Sequence, residues 1–337
     1  MCFMEPIFFA PVMVERVWGG NTLARQFGKE IPAGKTIGES WELCDRADAQ
    51  SVVCAGKFSG RTLHSMLAEF PGEILGNLPH TGRFPLLVKF VDAGDALSVQ
   101  VHPDDNGAKI LGDLGKSECW IVLNAAPGAQ IVRGLKAGIS RAQFAAAVSE
   151  NRVDGVVHAF EPKAGDVVAL PAGTVHAIGK GLLVAEIQQN SDITFRIWDY
   201  NRLGLDGKPR QLHAREALDA IRFDAPGDEF FGDMRRDTVL PERIDFDDGV
   251  LIETLLQGKY FDLRRVKMEA GAEWKLIQDG QAPQVVMLLS GSGALGRQEL
   301  SAGQTGLIPA QAGVHTFRAQ KRLTFVLSQP QVQRSES

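Results

Sequence analysis

Cysteine is scarce in this sequence. Four cysteines occur among 337 residues, and no two of them form a Cys-x-x-Cys pair. So few thiols, so far apart, exclude a disulfide scaffold, and we expect all four to be reduced. Cys119 is followed by Trp-Ile-Val-Leu, which predicts a buried thiol rather than a nucleophile.

Long apolar runs and basic clusters are also missing. No uninterrupted apolar run approaches the roughly 20 residues that cross a bilayer, so we expect no membrane segment. The start, MCFMEP, lacks the basic end and apolar stretch of a secretory signal, which favours a cytoplasmic protein. The net charge is −5 and basic residues occur singly, so we expect no nucleic-acid partner.

Glycine and proline, in contrast, are plentiful. The 36 glycines and 16 prolines separate many short segments rich in Val, Ile, Leu and Phe. This spacing predicts a mainly β protein, an antiparallel sandwich or barrel. Helical patterning is confined to four accessory pieces: 61–76, 104–113, 140–150 with Ser140 as N-cap, and 213–222.

One segment is repeated. Residues 164–178 and 302–317 each contain a glycine turn, an apolar strand ending in proline, a second glycine turn and a histidine entering another strand. A jelly-roll or cupin half presents a metal ligand in this way. We therefore predict two cupin-like jelly-roll β-sandwich halves, an N-terminal catalytic domain over 1–225 and a C-terminal degenerate domain over 240–330. A linker is predicted around 223–245, with a charged stretch at 234–246.

The segment Leu97 to Asp105 carries the strongest local signal. Side chains two apart on a strand share a face, so Ser98, Gln100 and His102 are predicted to lie on one side, opposite an apolar face. Taken alone, this polar face also fits a solvent-facing edge. Pro103 ends the strand at a rim, where sites usually lie.

A second segment, Gly115 to Leu123, runs from a turn into an apolar strand. Lys116 and Glu118 share a face by the same period of two, and the apolar residues that follow draw that face inward. A contact between the two charges explains the pattern as well as a role in binding a ligand or substrate does.

The third segment, Pro171 to Ile178, places His176 in an apolar strand. A single histidine there is usually a hydrogen-bonded core residue. Considered together, the three segments favour a metal site. Two imidazoles, one carboxylate and one amide oxygen suit Zn²⁺ and leave room for an exchangeable ligand, as in a catalytic zinc site.

A fourth segment, 183–202, has more polar residues than a core strand tolerates. Its simpler interpretation is a pair of strands with a solvated face. Alternation with apolar residues predicts instead that five side chains line the cavity that receives His176: Glu186, Gln188, Asp192, Thr194 and Arg196. Arg196 suits an anion or a developing negative charge.

The run Gly291 to Gly296 matches the dinucleotide-binding pattern G-x-G-x-x-G. That pattern requires a helix to begin at the glycines, whereas here another strand follows. We predict a β-hairpin turn.

Taken in order, these segments resemble the type I mannose-6-phosphate isomerases, in their short bacterial form. The resemblance covers about the first 200 residues and rests on six segments: Trp18-Gly19-Gly20, Ile37 to Glu42, Ser98 to Pro103, Gly115 to Trp120, Ala172 to Ala177 and Glu186 to Arg202. The C-terminal third matches in architecture more than in motif.

The resemblance implies a cytoplasmic cupin enzyme, a monomer or homodimer, that interconverts mannose 6-phosphate and fructose 6-phosphate through an enediol. It implies one zinc ion per chain with four ligands: Gln100, His102, Glu118 and His176. It places Arg196 in the active site, leaves the proton-carrying base open among Lys116, Glu186 and Asp192, with Asp192 favoured, and suggests that Ser98 and Lys89 help hold the phosphate. Lys116 and Arg196 are also expected to contact substrate.

Residues 247–300 contain no histidine, so the C-terminal half, despite His315, is predicted to bind no metal. Two alternatives remain open. One is an iron-dependent oxygenase, although such sites favour histidine-rich ligand sets. The other is a catalytically silent cupin that binds sugar phosphates.

Overall fold

The computed structural model describes residues 5–223 and 237–331. Its strands, in chain order, are β1 (Ile7–Ala10), β2 (Val12–Gly20), β3 (Ile37–Leu43), β4 (Val52–Val53), β5 (Leu86–Ala93), β6 (Val99–Val101), β7 (Glu118–Ala125), β8 (Ile131–Leu135), β9 (Val157–Phe160), β10 (Val167–Leu170), β11 (His176–Ile178), β12 (Leu182–Gln189), β13 (Phe195–Trp198), β14 (Arg243–Asp247), β15 (Val250–Gln257), β16 (Phe261–Met268), β17 (Glu273–Ile277), β18 (Gln284–Ser290), β19 (Ser292–Leu295), β20 (Gln298–Ser301), β21 (Thr305–Ile308), β22 (Val314–Ala319) and β23 (Leu323–Pro330). The mainly β fold expected from the sequence is confirmed.

The helices are short and lie between strands. They are α1 (Thr22–Phe27), α2 (Leu63–Glu69), α3 (Pro71–Leu75), α4 (Asp105–Lys109), α5 (Arg141–Ser149) and α6 (Ala214–Ala220), with a 3-10 turn at Val153–Gly155. All four helical segments predicted from the sequence contain a helix, and the first is divided at Phe70, before Pro71. Ser140 is the N-cap of α5, as predicted, and the structure adds a capping box with Gln143. None of the helices in the described ranges is long and apolar enough to span a bilayer.

The described residues form two compact units. Unit 1 takes its residues from Met1–Val12, Trp41–Val88 and Leu240–Ser337, and unit 2 from Met13–Ser40 and Lys89–Val239. This grouping differs from the predicted division into 1–225 and 240–330, whose boundary at 225 lies outside the described residues. Residues 5–12 and 41–88 belong with the C-terminal strands.

Backbone pairing is the reason for this difference. Ile7 lies opposite Leu307 in an antiparallel ladder between β1 and β21. The amide of Ala310 donates to the carbonyl of Ile74, at the end of α3, over 3.0 Å. These partners are more than 200 residues apart in the chain, so local patterning carries no trace of them.

Unit 1 contains an eight-stranded sheet, ordered β14-β15-β16-β23-β18-β21-β1-β4, and a four-stranded sheet, ordered β17-β22-β19-β20. Its core draws on both sheets, with Phe8 and Phe325 from the first and Phe317 from the second. The rings of Phe317 and Phe325 stack at 4.5 Å. Strands β19 and β20 pair directly, which confirms the hairpin predicted at Gly291 to Gly296.

The prediction of a linker is wrong for residues 243–246. The charged stretch at 234–246 ends inside β14, which pairs with β15 along its whole length. Residues 224–236 of the predicted linker lie outside the described residues. Asp248 and Gly249 join β14 to β15 with φ values of 43° and 75°, and Asp-Gly is a strong hairpin signal. Because the segment before this turn is rich in charged residues, its sequence was interpreted as a linker and the hairpin was not predicted.

Unit 2 holds a six-stranded sheet, ordered β10-β7-β12-β5-β2-β3, and a five-stranded sheet, ordered β13-β6-β11-β8-β9. One cluster between the sheets includes Trp120 and Val184 from the first and Ile178 from the second. A second cluster packs Val99 and Val101 of β6 among apolar residues of helices α5 and α6. The apolar side of β6 therefore faces helices, and its other side faces the interior of unit 2.

Candidate metal centre and active-site cavity

Strand ends in unit 2 bring the predicted ligands together. Gln100 lies within β6 and His102 directly follows that strand, while Glu118 begins β7 and His176 begins β11. His176 is the register partner of Gln100. Because β6 and β11 are neighbours, their polar side chains meet on one face, as the period of two requires.

His102, Glu118 and His176 form a tight, buried group. Their side chains are about 1–2% exposed. The Nε2 atoms of the two histidines are 3.1 Å apart, and Glu118 oxygens lie 3.4 Å from Nε2 of His176 and 3.5 Å from Nε2 of His102. Within the described ranges, this is the group of His, Cys, Asp or Glu side chains close enough to hold a metal ion.

Hydrogen bonds to the backbone orient both imidazoles. Nδ1 of His102 lies 2.7 Å from the carbonyl oxygen of Ile193, and Nδ1 of His176 lies 2.8 Å from that of Thr174. A carbonyl only accepts, so each Nδ1 carries the proton and each Nε2 presents a lone pair. Such carbonyl partners are the usual outer support of metal-ligating histidines.

The electrostatics of the group fit a cation. Burial lowers the pKa of His102 well below its ordinary value, and the charge of Lys116 lowers it further. Burial also lowers the pKa of His176, to about 4. Two neutral imidazoles whose lone pairs face each other beside a carboxylate repel one another, and a shared cation relieves that repulsion.

Gln100 lies beside this group. Its Nε2 is 3.2 Å from Nε2 of His176, and its Oε1 accepts a hydrogen bond from the Ser98 hydroxyl at 3.3 Å. The two ends of a glutamine amide are assigned from their partners, and rotation about χ3 exchanges them. Gln100 can therefore turn its oxygen towards the histidines.

Lys116 joins the metal-ligand group to a second set of charges. Its Nζ lies 2.9 Å from Nε2 of His102, 3.0 Å from Oε2 of Glu118 and 3.7 Å from Oε1 of Glu186. The contact between Lys116 and Glu118 that the sequence suggested therefore exists, and it lies inside the site.

Lys89 continues the network on the far side of Glu186. Its Nζ lies 3.5 Å from Glu186 and 3.9 Å from Glu39. Burial works against the charge of Lys89, but these two carboxylates raise its pKa above the ordinary value. Burial and the neighbouring charge of Glu118 raise the pKa of Glu186 to about 8, against the opposing effects of Lys89 and Lys116.

These residues line a cavity of about 300 Å³. The predicted site residues on its wall are Lys89, Ser98, Gln100, Lys116, Glu118, Glu186, Asp192, Thr194 and Arg196. Asp192 is exposed, whereas Glu186 is buried. Arg196 Nη1 donates to the carbonyl of Gln211, and its buried Nε has no hydrogen-bond partner among the described residues.

One predicted wall residue is wrong. Gln188 is fully buried, and its amide donates to the carbonyls of Gln189 at 2.9 Å and Ser191 at 2.6 Å. It therefore braces the turn after β12 instead of lining the cavity. Alternation along a strand predicts which side a residue faces but cannot show that a neighbouring loop covers it.

Four polar or charged cavity residues had no role assigned from the sequence: Arg16, Glu39, Arg210 and His213. Arg16 precedes Trp18-Gly19-Gly20, and Glu39 lies within Ile37 to Glu42, so both are close to segments that carried the resemblance. Their opposite charges were the signal that could have identified them as a pair in the site. Arg210 and His213 belong to a polar segment after β13, where nothing in the sequence distinguishes a wall residue from a surface residue.

Comparison with known proteins agrees with this geometry. Residues 7–124 match the family described as phosphomannose isomerase type I, catalytic domain. Mannose-6-phosphate isomerase ManA of Bacillus subtilis is 40% identical over 80% of this chain and 82% of its own length. Mannose-6-phosphate isomerase of Streptococcus mutans is 40% identical over 66% of this chain and 69% of its own.

A solved structure extends the match over nearly the whole chain. The crystal structure of mannose 6-phosphate isomerase from Bacillus subtilis has a TM-score of 0.86 and 33% identity, covering 96% of this chain and 99% of that one. The fold and the buried group define a cupin with side chains that could hold a metal ion. The chain belongs to the type I phosphomannose isomerase family.

Proposed function

We propose that this protein is a zinc-dependent isomerase that interconverts mannose 6-phosphate and fructose 6-phosphate by moving a proton between C1 and C2 through an enediol. The observation that carries the proposal is the convergence of two backbone-oriented imidazoles and a carboxylate beside a cavity of about 300 Å³, in a chain of this family.

The proposed metal ligands are His102, His176, Glu118 and Gln100, with one zinc ion per chain. Imidazole nitrogens and carboxylate or amide oxygens together form a donor set that Zn²⁺ accepts, and their neutral or anionic states suit a divalent cation. When bound, zinc supplies a Lewis acid for the oxygens of the open-chain sugar.

Proton transfer is proposed for the charged residues on the cavity wall. Glu186 is positioned to hold a proton, because burial and Glu118 raise its pKa to about 8. Lys116 lies between Glu118 and Glu186, with its Nζ 3.0 Å and 3.7 Å from their oxygens, and is a second candidate. Asp192 is exposed to water, so it can return a proton after each turnover, and it remains our favoured base.

Substrate contacts are proposed for Ser98, Lys89, Lys116 and Arg196. Arg196 has a buried Nε that makes no hydrogen bond with the residues the structure describes, so it can donate to a substrate oxygen that gains negative charge. Lys89 and Ser98 are proposed to hold the phosphate end of the substrate, which converts remote binding energy into alignment at C1 and C2. We also propose a cytoplasmic location and a monomeric or homodimeric state.

A coupled assay for fructose 6-phosphate formed from mannose 6-phosphate tests the function, with and without a chelator. We expect the chelated protein to lose activity and added Zn²⁺ to restore it, because the two imidazole nitrogens and the carboxylate converge as donors for a divalent cation. His102→Ala should lower kcat by about 10³-fold, a typical effect of losing a group on which transition-state charge depends.

His80→Ala is the matched control, since His80 is an exposed histidine in unit 1. It should keep wild-type activity and metal content. Full activity in the chelated wild type, or equal activity of His102→Ala and His80→Ala, would show that the activity does not depend on a metal ion. Metal analysis of the purified protein then identifies the ion.

A further inference from the structure

Two consecutive glutamines end strand β12, and both are buried. Gln188 is fully buried and Gln189 is 4% exposed. Burying a glutamine amide costs free energy unless the amide is hydrogen-bonded, so its partners show what it does. Because successive side chains on a strand point to opposite faces, the two amides serve different segments of unit 2.

Gln189 binds the backbone between Lys116 and Glu118. Its Oε1 accepts a hydrogen bond from the backbone amide of Ser117 at 2.9 Å, and its own backbone amide donates to the Ser117 carbonyl at 3.1 Å. Ser117 is buried, so both of its peptide groups need partners within the protein. One residue satisfies them, and it thereby fixes the backbone from which the two neighbouring charged side chains project.

Asp105 orients the other end of the Gln189 amide. Nε2 of Gln189 donates to Oδ1 of Asp105 at 3.0 Å, and the same oxygen accepts from the backbone amide of Gly115 at 3.0 Å. An anionic acceptor on one side determines which end of the amide is nitrogen, so the oxygen is turned towards Ser117. The carboxylate, the amide and the backbone of 115–117 therefore form a closed ring of hydrogen bonds.

Further hydrogen bonds join this segment to the loops that carry the two histidines. The backbone amide of Lys116 donates at 3.0 Å to the carbonyl of Pro103, which follows the first histidine. The amide of Ala172, in the turn that leads to His176, donates to the Ser117 hydroxyl at 3.1 Å. A shift of the segment would therefore disturb the spacing of all three groups that could hold the ion.

Gln188 fixes the turn that follows β12. Its Nε2 donates to the carbonyls of Gln189 at 2.9 Å and Ser191 at 2.6 Å. The amide of Ile193 donates to the Ser191 hydroxyl at 3.4 Å, and the Ile193 carbonyl accepts the Nδ1 proton of His102 at 2.7 Å. Gln188 therefore supports an imidazole through the backbone, as Gln189 supports the carboxylate.

We propose that Gln188 and Gln189 are positioning residues that set the affinity of the metal-ligand group for its ion. Gln189 acts through the backbone next to Glu118, and Gln188 acts through the carbonyl that orients His102. The proposal rests on the proposed function, which places the ion at this group. Outer hydrogen bonds hold donor atoms at the spacing that an ion needs, and donors that are free to move must be ordered when the ion binds.

The test measures the Zn²⁺ affinity of the metal-free protein by competition with a chromophoric chelator. The visible absorption spectrum of the Co²⁺-loaded protein is measured beside it, since that spectrum reports the geometry of the ligands. Gln188→Met and Gln189→Met remove the side-chain hydrogen bonds at nearly constant volume. Each should weaken Zn²⁺ binding by about 10- to 100-fold, the usual effect of losing an outer partner of a metal ligand, and should change the Co²⁺ spectrum.

A charge variant and its rescue test the contact with Asp105. Gln189→Glu keeps an acceptor for Ser117 but places a second carboxylate against Asp105, so it should also weaken Zn²⁺ binding by about 10- to 100-fold. Adding Asp105→Asn removes one of the two charges and supplies an amide. The double variant should therefore recover most of the lost affinity.

Gln278→Met is the matched control in unit 1. Gln278 is buried, at 8% exposure, and its Nε2 donates to the carbonyls of Ile308 and Pro309 at 3.1 and 3.0 Å. The variant removes hydrogen bonds of the same kind, so it should lower the melting temperature. Its Zn²⁺ affinity should stay within about twofold of the wild type.

Unchanged Zn²⁺ affinity and an unchanged Co²⁺ spectrum in either Gln188→Met or Gln189→Met would overturn the proposal. An equal loss of affinity in Gln278→Met would also overturn it, because the effect would then come from general destabilisation. Where thermal melting shows that a methionine variant does not fold, the asparagine variant at that position, which keeps the amide on a shorter side chain, is measured instead.

The same measurements separate this proposal from the proposed function. A wild type that binds Zn²⁺ without isomerising mannose 6-phosphate, and whose variants bind Zn²⁺ more weakly, would retain the positioning residues and reject the function. An isomerase whose variants keep wild-type metal affinity would reject the positioning residues alone. A wild type that binds neither ion would reject both.

Discussion

The two copies of the repeated segment, one in each unit, have the same order of glycine turns and strands but differ around the histidine. In both, the second glycine turn is left-handed, with φ of 86° at Gly173 and 77° at Gly313. His176 then lies opposite Gln100, and its Nε2 faces His102 and Glu118. His315 lies opposite Leu276, and its Nε2 donates to the carbonyl of Ala312 at 3.0 Å.

The difference lies in the neighbouring strands. His315 shares a face of β22 with Phe317 and Ala319, which belong to the apolar core of unit 1. A hairpin can deliver an imidazole to the interior in either unit, but a metal site also needs donors on the strands beside it. In unit 2, β6 and β7 carry those donors.

Two separate variants, His176→Gln and His315→Gln, test this comparison directly. His176→Gln should have the largest effect on activity of all the substitutions considered. His176→Gln should lose about 10³-fold in kcat together with its bound metal, because an amide oxygen replaces an imidazole nitrogen that the backbone holds in position. His315→Gln should keep both, since only a hydrogen bond to the backbone changes. Metal content and coupled turnover are the two measurements. Two zinc ions per chain, with one lost in His315→Ala, would contradict the distinction between the units.

Acid should weaken unit 2 through His176 once metal is removed. The folded-state pKa of His176 is about 4 and the unfolded value is about 6.5, so the unfolded chain binds the extra proton between these values. The stabilising contribution is full above pH 6.5 and is lost as the pH falls to 4, by about 3 kcal/mol in all. Urea unfolding of the chelated protein across this range measures it.

Two variants sharpen that test. His176→Gln should flatten the decline in unfolding free energy between pH 6.5 and 4, whereas His80→Gln, at an exposed histidine, should leave its slope unchanged. An equal slope in all three proteins would show that other groups govern the acid response.

The smallest expected effect is that of removing a helix N-cap, which should lower the free energy of unfolding equally whether the helix lies in unit 1 or in unit 2. Ser140 accepts from the amide of Gln143 at the start of α5 in unit 2, and Thr62 accepts from the amide of Ser65 at the start of α2 in unit 1. Ser140→Ala and Thr62→Ala should each lower the free energy of unfolding by about 1 kcal/mol, with no change in kcat. Denaturant titration measures both, and a loss of activity in either variant would mean that the cap positions the cavity.

Much of the candidate site followed from local pattern. The period of two placed Ser98, Gln100 and His102 on one face, and the same faces in the structure turn towards His176 and Glu118. The expected burial of Cys119 is confirmed, and burial raises the pKa of its thiol to about 12. These features depend only on neighbours within a few residues, so they can be read along the chain.

Other features required contacts between distant segments. Arg16 and Glu39 pair across 23 positions, and Arg210 is held by Asp199 from a neighbouring loop. Gln188 has the alternation of a wall residue but is covered by the turn that follows it. Spacing along one strand carries no information about the loop that packs over it.

The sequence by itself determined the mainly β class, the helices with their Ser140 cap, the faces of the strands and the resemblance to one enzyme family, because all of these depend on short-range periodicity and motif. Tertiary structure alone decided that residues 7–10 pair with the C-terminal strands, that Lys116 joins Glu118 to Glu186, and that Arg16 and Arg210 line the same cavity as Glu118. The physical reason is chain topology: charges far apart in the sequence interact only after the sheets bring them together, and their pKa values depend on the burial that results.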